Sequence, residues 1–229
     1  MNDVSCKLLA RTRHLLTRRG LTRFRRKDIT ATHKTASTTV PVHPLLAERW
    51  SPRGFDRTHE LGEDSLTALL EAARWAPSAQ NSQPWRFLVA RRGDEAHERL
   101  FAALAPGNQA WAGAASALVL VAASTVGDDG RPQPWALYDT GQAVAALITQ
   151  AQADGLAVHQ MGGFDTAAVR AEFGLGETLT PVVVIAIGRR DTIADLPEPL
   201  AARETAPRTR HPVSKLLLPE VSARQLAAA

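Results

Sequence analysis

The sequence predicts one domain of mixed helices and strands, and three observations carry that expectation. Segments with helical apolar spacing alternate along the chain with extended runs. Two of those runs, Ala117 to Ala123 and Pro181 to Gly188, consist largely of Val, Leu, Ile and Ala, as expected of strands buried on both faces. The length of 229 residues and the 45% hydrophobic content suit one domain or a compact pair, and the chain shows no internal repeat and no second domain.

The elements follow in chain order. Glu63 to Trp75 sets Leu66, Leu69, Leu70 and Ala73 at helix spacing. Pro77 ends this helix, because proline lacks an amide donor and restricts the residue before it. A polar loop then leads to an extended run at Trp85 to Ala90, and Asp94 to Leu104 is helical again, with His97 expected on its solvated face. After the first buried strand, the loop Ser124 to Pro134 is punctuated by Gly127, Gly130, Pro132 and Pro134.

Trp135 to Ala153 is the longest helical pattern, and its small residues Gly141, Ala143, Ala145 and Ala146 permit close approach of another helix. Gly155 stops it, and Leu156 to His159 leads into a Met161-Gly162-Gly163 turn. Asp165 to Phe173 restores the helical period with Asp165 or Thr166 as cap. Past the second buried strand, prolines at 197, 199, 207, 212 and 219 predict a mostly irregular tail that needs a surface to lie on.

Charge is uneven. Met1 to Lys34 carries ten Lys or Arg against Asp3 and Asp28, about +8, whereas the whole chain is +4, which leaves the remainder near −4. The basicity therefore belongs to residues 1–45, read as a disordered extension ahead of a domain at 46–229. A contact with a partner or nucleic acid and a targeting segment are the alternative uses of this tail, and polyanion binding through counterion release says little about the domain's chemistry. No apolar run approaches a membrane span. The single cysteine, Cys6, cannot form an internal disulfide, so a reducing, cytoplasmic setting is expected and no thiol nucleophile is evident. Histidine spacing suggests no metal site.

The most informative stretch is APSAQNSQPWRF, Ala76 to Phe87, which packs Ser78, Gln80, Asn81, Ser82 and Gln83 beside Pro84 and Trp85. Its order of residues resembles the APSxxNxQPWxF signature of the nitroreductase family of FMN-dependent oxidoreductases. Three further segments are similar to the family's in the same order: ERWSPRGF at Glu48 to Phe55, HQMGGFD at His159 to Asp165, and PRTRHP at Pro207 to Pro212. The resemblance covers about residues 46 to 218 and implies an α+β fold with a central, mostly antiparallel sheet flanked by helices and completed by dimerisation.

It also implies a site. Arg49, Trp50, Ser51 and Arg210 occupy positions that meet the FMN phosphate, with Arg208 placed for the phosphate or ribityl chain. Arg53 stands where a base stabilises negative charge on the reduced flavin, so no catalytic Ser, Cys or His is needed. Pro77, Ser78, Ala79 and Asn81 are expected to reach the ring or ribityl chain from the second subunit. Asn108 matches a position that reads the pyrimidine edge, although a Gly-Asn turn before a helix explains it equally. The backbone at Met161, Gly162 and Gly163 is expected to face the N5 edge. The implied activity is hydride transfer from NAD(P)H through flavin N5 to a nitroaromatic, quinone or enone, by a ping-pong route in a homodimer. The alternatives are an FMN-binding protein without turnover, or a dehydrogenase, dehalogenase or flavin-consuming enzyme of the same fold. The loop Ser124 to Pro134 is shorter than the helical excursion that covers the pocket in many relatives.

Overall fold

The computed structural model describes residues 34–192 and 194–218. Eleven regular segments are used below: α1 (Pro44–Ala47), α2 (Glu63–Arg74), β1 (Trp85–Arg91), α3 (Glu95–Ala102), α4 (Pro106–Ala112), β2 (Ala117–Ser124), α5 (Ala136–Ala153), β3 (Ala157–Met161), α6 (Thr166–Phe173), β4 (Leu179–Gly188) and α7 (Glu198–Thr205). The strands form one antiparallel sheet in the order β1-β2-β4-β3.

The continuous apolar character of β2 and β4 follows from a core on each face of the sheet. Val119, Val121, Ile185 and Ile187 face Leu69 and Ala73 of α2 and Ala143, Leu147 and Ala151 of α5. The alternate residues Leu118, Leu120, Val184 and Ala186 face Phe55, Leu100 of α3, Trp111 of α4 and Val169 of α6. Pro181 falls at the register shift between Val121 and Ala122, the kind of irregularity that accommodates a residue without an amide donor.

The strand register separates the two ends of the sheet. Trp85 opens β1 opposite Ala123, whose other neighbour is Thr180 near the start of β4. Phe55 bridges Arg190, just past the end of β4, and His159 of β3 pairs with Ala186. The Ser78 loop and the Arg49 to Phe55 segment therefore lie at opposite ends of a ten-residue strand, roughly 30 Å long at the usual rise.

Several expectations change. The segment Ala157–Met161 is an edge strand, with His159 and Gln160 breaking the apolar pattern that marks the inner strands. Asn108 lies inside α4, since Pro106 starts that helix at its first position and the Gly-Asn pair occupies its first turn. The tail prolines also include a helix start: Pro197 caps α7 and Pro199 sits in its first turn, where a missing amide costs nothing. His97 is buried rather than solvated, stacked at 6.3 Å on Phe101 one turn further along α3.

Residues 34–45 are part of the folded body, ahead of the boundary expected at residue 46. Ala36 N–H donates to the Ala47 carbonyl at 2.8 Å, and Lys34 meets both Trp50 and Arg203. Residues 1–33, where most of the basic excess lies, fall outside the described residues. Among the described residues no helix is long and apolar enough to cross a membrane, and no group of His, Cys, Asp and Glu is placed to hold a metal.

Candidate functional site

Three guanidinium groups from distant parts of the chain converge. Arg49 follows α1, and Arg208 and Arg210 follow α7. Burial, with the Arg210 charge beside it, holds the Arg49 guanidinium below its ordinary value; burial and the charges of Arg49 and Arg210 do the same to Arg208. The fold therefore gathers like charges at a cost. Among the described residues none of the three forms an ion pair with a carboxylate. Their hydrogen bonds go to neutral oxygens: Arg49 Nη1 to Ser51 Oγ at 3.4 Å, Arg208 Nη1 to the Lys34 and Ala47 carbonyls at 2.7 Å each, and Arg210 Nη1 to the Thr209 carbonyl at 2.7 Å. Mutually repelling cations beside a hydroxyl, without a carboxylate to neutralise them, fit a phosphate dianion.

Arg53 and Trp50 have partners that sequence alone did not reveal. Glu204 of α7 accepts the Arg53 amide at 3.1 Å and stands 3.7 Å from its guanidinium. The charge of Arg53 is thus partly offset. The Trp50 ring carries Lys34 Nζ at 4.3 Å and Arg190 Cζ at 5.0 Å from its centroid, an arrangement favoured by the ring quadrupole.

His159 ties β3 to this segment. Its Nδ1 lies 2.9 Å from the Pro52 carbonyl, so the acceptor on the other side requires an Nδ1 proton. Its ring lies 4.4 Å from Trp111, which stacks in turn on Phe55. Burial above all pushes His159 down to about 4, with Arg53 and Arg49 adding repulsion against the Pro52 and Ser51 backbone bonds. The imidazole is neutral at pH 7 and acts as a buried strut.

The turn after β3 is pinned to α4. The Gly163 carbonyl accepts the Ala105 amide at 3.0 Å and Asn108 Nδ2 at 2.9 Å. A Cβ on Gly163 would crowd Asn108 Nδ2 at 3.2 Å, whereas one on Gly162 would meet nothing within 4 Å. Gly163 packs tightly against the Asn108 amide and Gly162 leaves open space beside the backbone. Met161 is buried in the core and paired with Val184 of β4. Asn108 spends one amide proton on Gly163, which joins two of the expected site segments.

Among the described residues, the Ser78 loop holds the strained backbone. Gln80, Asn81 and Gln83 have φ of 54°, 57° and 45°, and they are the positive-φ residues other than glycine among those described. Left-handed backbone costs about 1–2 kcal/mol per ordinary residue, so the surroundings must enforce it. Asp139, buried in the first turn of α5, accepts the Ala79 amide at 2.9 Å, and Ser78 Oγ accepts the Gln83 amide at 3.1 Å. Asp139 escaped the sequence reading. Its signal was a lone acid in a helix otherwise made of small, apolar and amide residues.

Within one chain, the structure brings together Arg49, Trp50, Ser51, Arg53, Arg208 and Arg210, and separately joins Asn108 to Gly163, next to Met161 and Gly162. It leaves Pro77, Ser78, Ala79 and Asn81 at the far end of the sheet. Around that far end stand exposed Trp75, Trp135, Leu137 and Tyr138.

Comparison with known proteins gives concordant matches. The model of the nitroreductase family matches residues 46–110 and 100–189. A Mycolicibacterium smegmatis protein, described as an uncharacterized 15.4 kDa protein, is 39% identical over 133 residues, 55% of this chain and 88% of that protein. A Leptothrix cholodnii protein, provisionally named an NADH dehydrogenase/NAD(P)H nitroreductase, is 32% identical over 192 residues, 74% of this chain and 92% of its own. A crystal structure described as the oxidoreductase containing FMN superposes with a TM-score of 0.74 at 34% identity, over 80% of this chain and 94% of that one.

Proposed function

The chain belongs to the nitroreductase family, and on that premise we propose that it passes hydride from NAD(P)H to a small electron-poor acceptor, using FMN held between two copies of the chain. It is an FMN-dependent NAD(P)H oxidoreductase in the broad sense. The observation that carries the reading is the convergence of Arg49, Arg208 and Arg210 without a carboxylate partner among the described residues.

The hydride chemistry, acceptance from NAD(P)H and delivery to the acceptor in alternating half-reactions, is supplied by FMN when bound. The protein binds, orients and tunes. Arg49, Ser51 and Arg210 would hold the phosphate, while Arg208, fixed by two carbonyls through Nη1, would offer its remaining donors to the anion. Arg53, its cation softened by Glu204, would stabilise the negative charge that develops on reduction. The open backbone at Gly162 lets the main chain approach a planar ring.

Homodimerisation is part of the same reading. A flavin seated on Arg49 and Arg208 would lie at the opposite end of the sheet from Ser78 and Asn81 of its own chain. A second copy would supply that loop, and the exposed Trp75, Trp135, Leu137 and Tyr138 would give the association an apolar surface. Nitroaromatics, quinones and enones are the acceptor classes. Steady-state oxidation of NADH and NADPH by the FMN-loaded protein, measured against all three, tests the proposal: acceptor-dependent turnover is expected, and none with any class leaves an FMN-binding protein without turnover.

A further inference from the structure

Lys34 lies at the seam between the two chain segments that supply the arginine cluster. Its Nζ sits 4.3 Å from the centroid of Trp50, the residue between Arg49 and Ser51. The same ammonium donates to the Arg203 carbonyl of α7 at 2.8 Å. The Lys34 carbonyl accepts Arg208 Nη1 at 2.7 Å, and the other acceptor of that Nη1, the Ala47 carbonyl, is also bonded by the Ala36 amide at 2.8 Å.

We propose that Lys34 is a positioning residue for the anion cradle, clasping Trp50 to α7 with its side chain and aiming Arg208 with its carbonyl. This rests on the reading of Arg49, Arg208 and Arg210 as the holders of the FMN phosphate. An arginine fixed before the anion arrives loses less rotamer freedom on binding, so affinity rises without a new contact to the ligand. The clasp also holds like charges together: Arg190 shares the Trp50 ring with Lys34, and Glu204 is the acid that faces this group.

The test uses the full chain and its Lys34→Ala, Lys34→Arg and Arg208→Ala variants, freed of flavin and titrated by fluorescence with FMN and with riboflavin, which has no phosphate. Lys34→Ala is expected to bind FMN about tenfold more weakly, with riboflavin affinity unchanged and Lys34→Arg recovering most of the loss. Unchanged FMN affinity in Lys34→Ala, alongside a clear loss in Arg208→Ala, overturns the positioning role and leaves the cradle standing. Equal weakening of FMN and riboflavin also overturns it, because a general structural role does not distinguish them. If Arg208→Ala binds FMN normally, the cradle itself is wrong.

Discussion

The Asp139 carboxylate, buried in the first turn of α5, accepts the backbone amide of Ala79 at 2.9 Å and so fixes the entry to the strained Ser78 loop. The bond joins residues sixty apart. Replacing Asp139 with Leu leaves a part-buried amide unsatisfied and is expected to cost about 1–3 kcal/mol of folding stability, with Asp139→Asn costing less because an acceptor remains. Urea unfolding of the two variants checks this; equal stability of Asp139→Leu and the unsubstituted chain contradicts it.

Arg49→Ala and Arg210→Ala should each weaken FMN binding by about 10- to 100-fold, the worth of a charge-assisted phosphate contact. Neither should lower the melting temperature of the flavin-free protein, since each removes a charge that repels its neighbours. Equilibrium dialysis with FMN, paired with thermal melts, measures both. Undiminished affinity in the two variants removes the phosphate assignment.

Arg53 and Glu204 should move the potential of bound flavin in opposite directions. Reduction adds negative charge near Arg53, so Arg53→Gln lowers the potential, while Glu204→Gln frees the Arg53 charge from its 3.7 Å partner and raises it. Spectroelectrochemical titration of the three proteins decides the point. Shifts of the same sign rule out a shared electrostatic origin.

His159 makes stability depend on pH. Its folded value, about 4, lies below the 6.5 of an ordinary imidazole, so the unfolded chain binds the proton more tightly. The contribution is complete above pH 6.5 and drains away as the pH falls toward 4, on the order of 3 kcal/mol in all. His159→Gln should flatten the urea midpoint across that window. A variant with the same slope as the parent assigns the pH dependence elsewhere.

What the sequence disclosed depended on how local the signal was. The periodic segments that became α2, α5 and α6 and the apolar runs that became β2 and β4 announced themselves, because each buries a regular face. β3 was hidden by His159 and Gln160, whose partners lie across the fold, and α4 and α7 were hidden by Pro106, Pro197 and Pro199 at helix starts. The motifs located Arg49 and Arg208, yet nothing in their spacing predicts that carbonyls of Lys34 and Ala47 aim the second of them. Lys34 itself was counted with the basic tail. Buried Asp139 and half-buried Glu204 stayed invisible because such an acid is explained by the amide or cation it meets, not by its neighbours in sequence.

The most direct test of the whole account is anaerobic stopped-flow mixing of the purified FMN-loaded protein with NADH or NADPH, followed at the flavin absorbance. Bleaching of the bound flavin by at least one nicotinamide, and recovery on a second mix with a quinone or nitroaromatic, is the predicted result. Flavin that stays oxidised with both nicotinamides, although bound at Arg49 and Arg208, contradicts it.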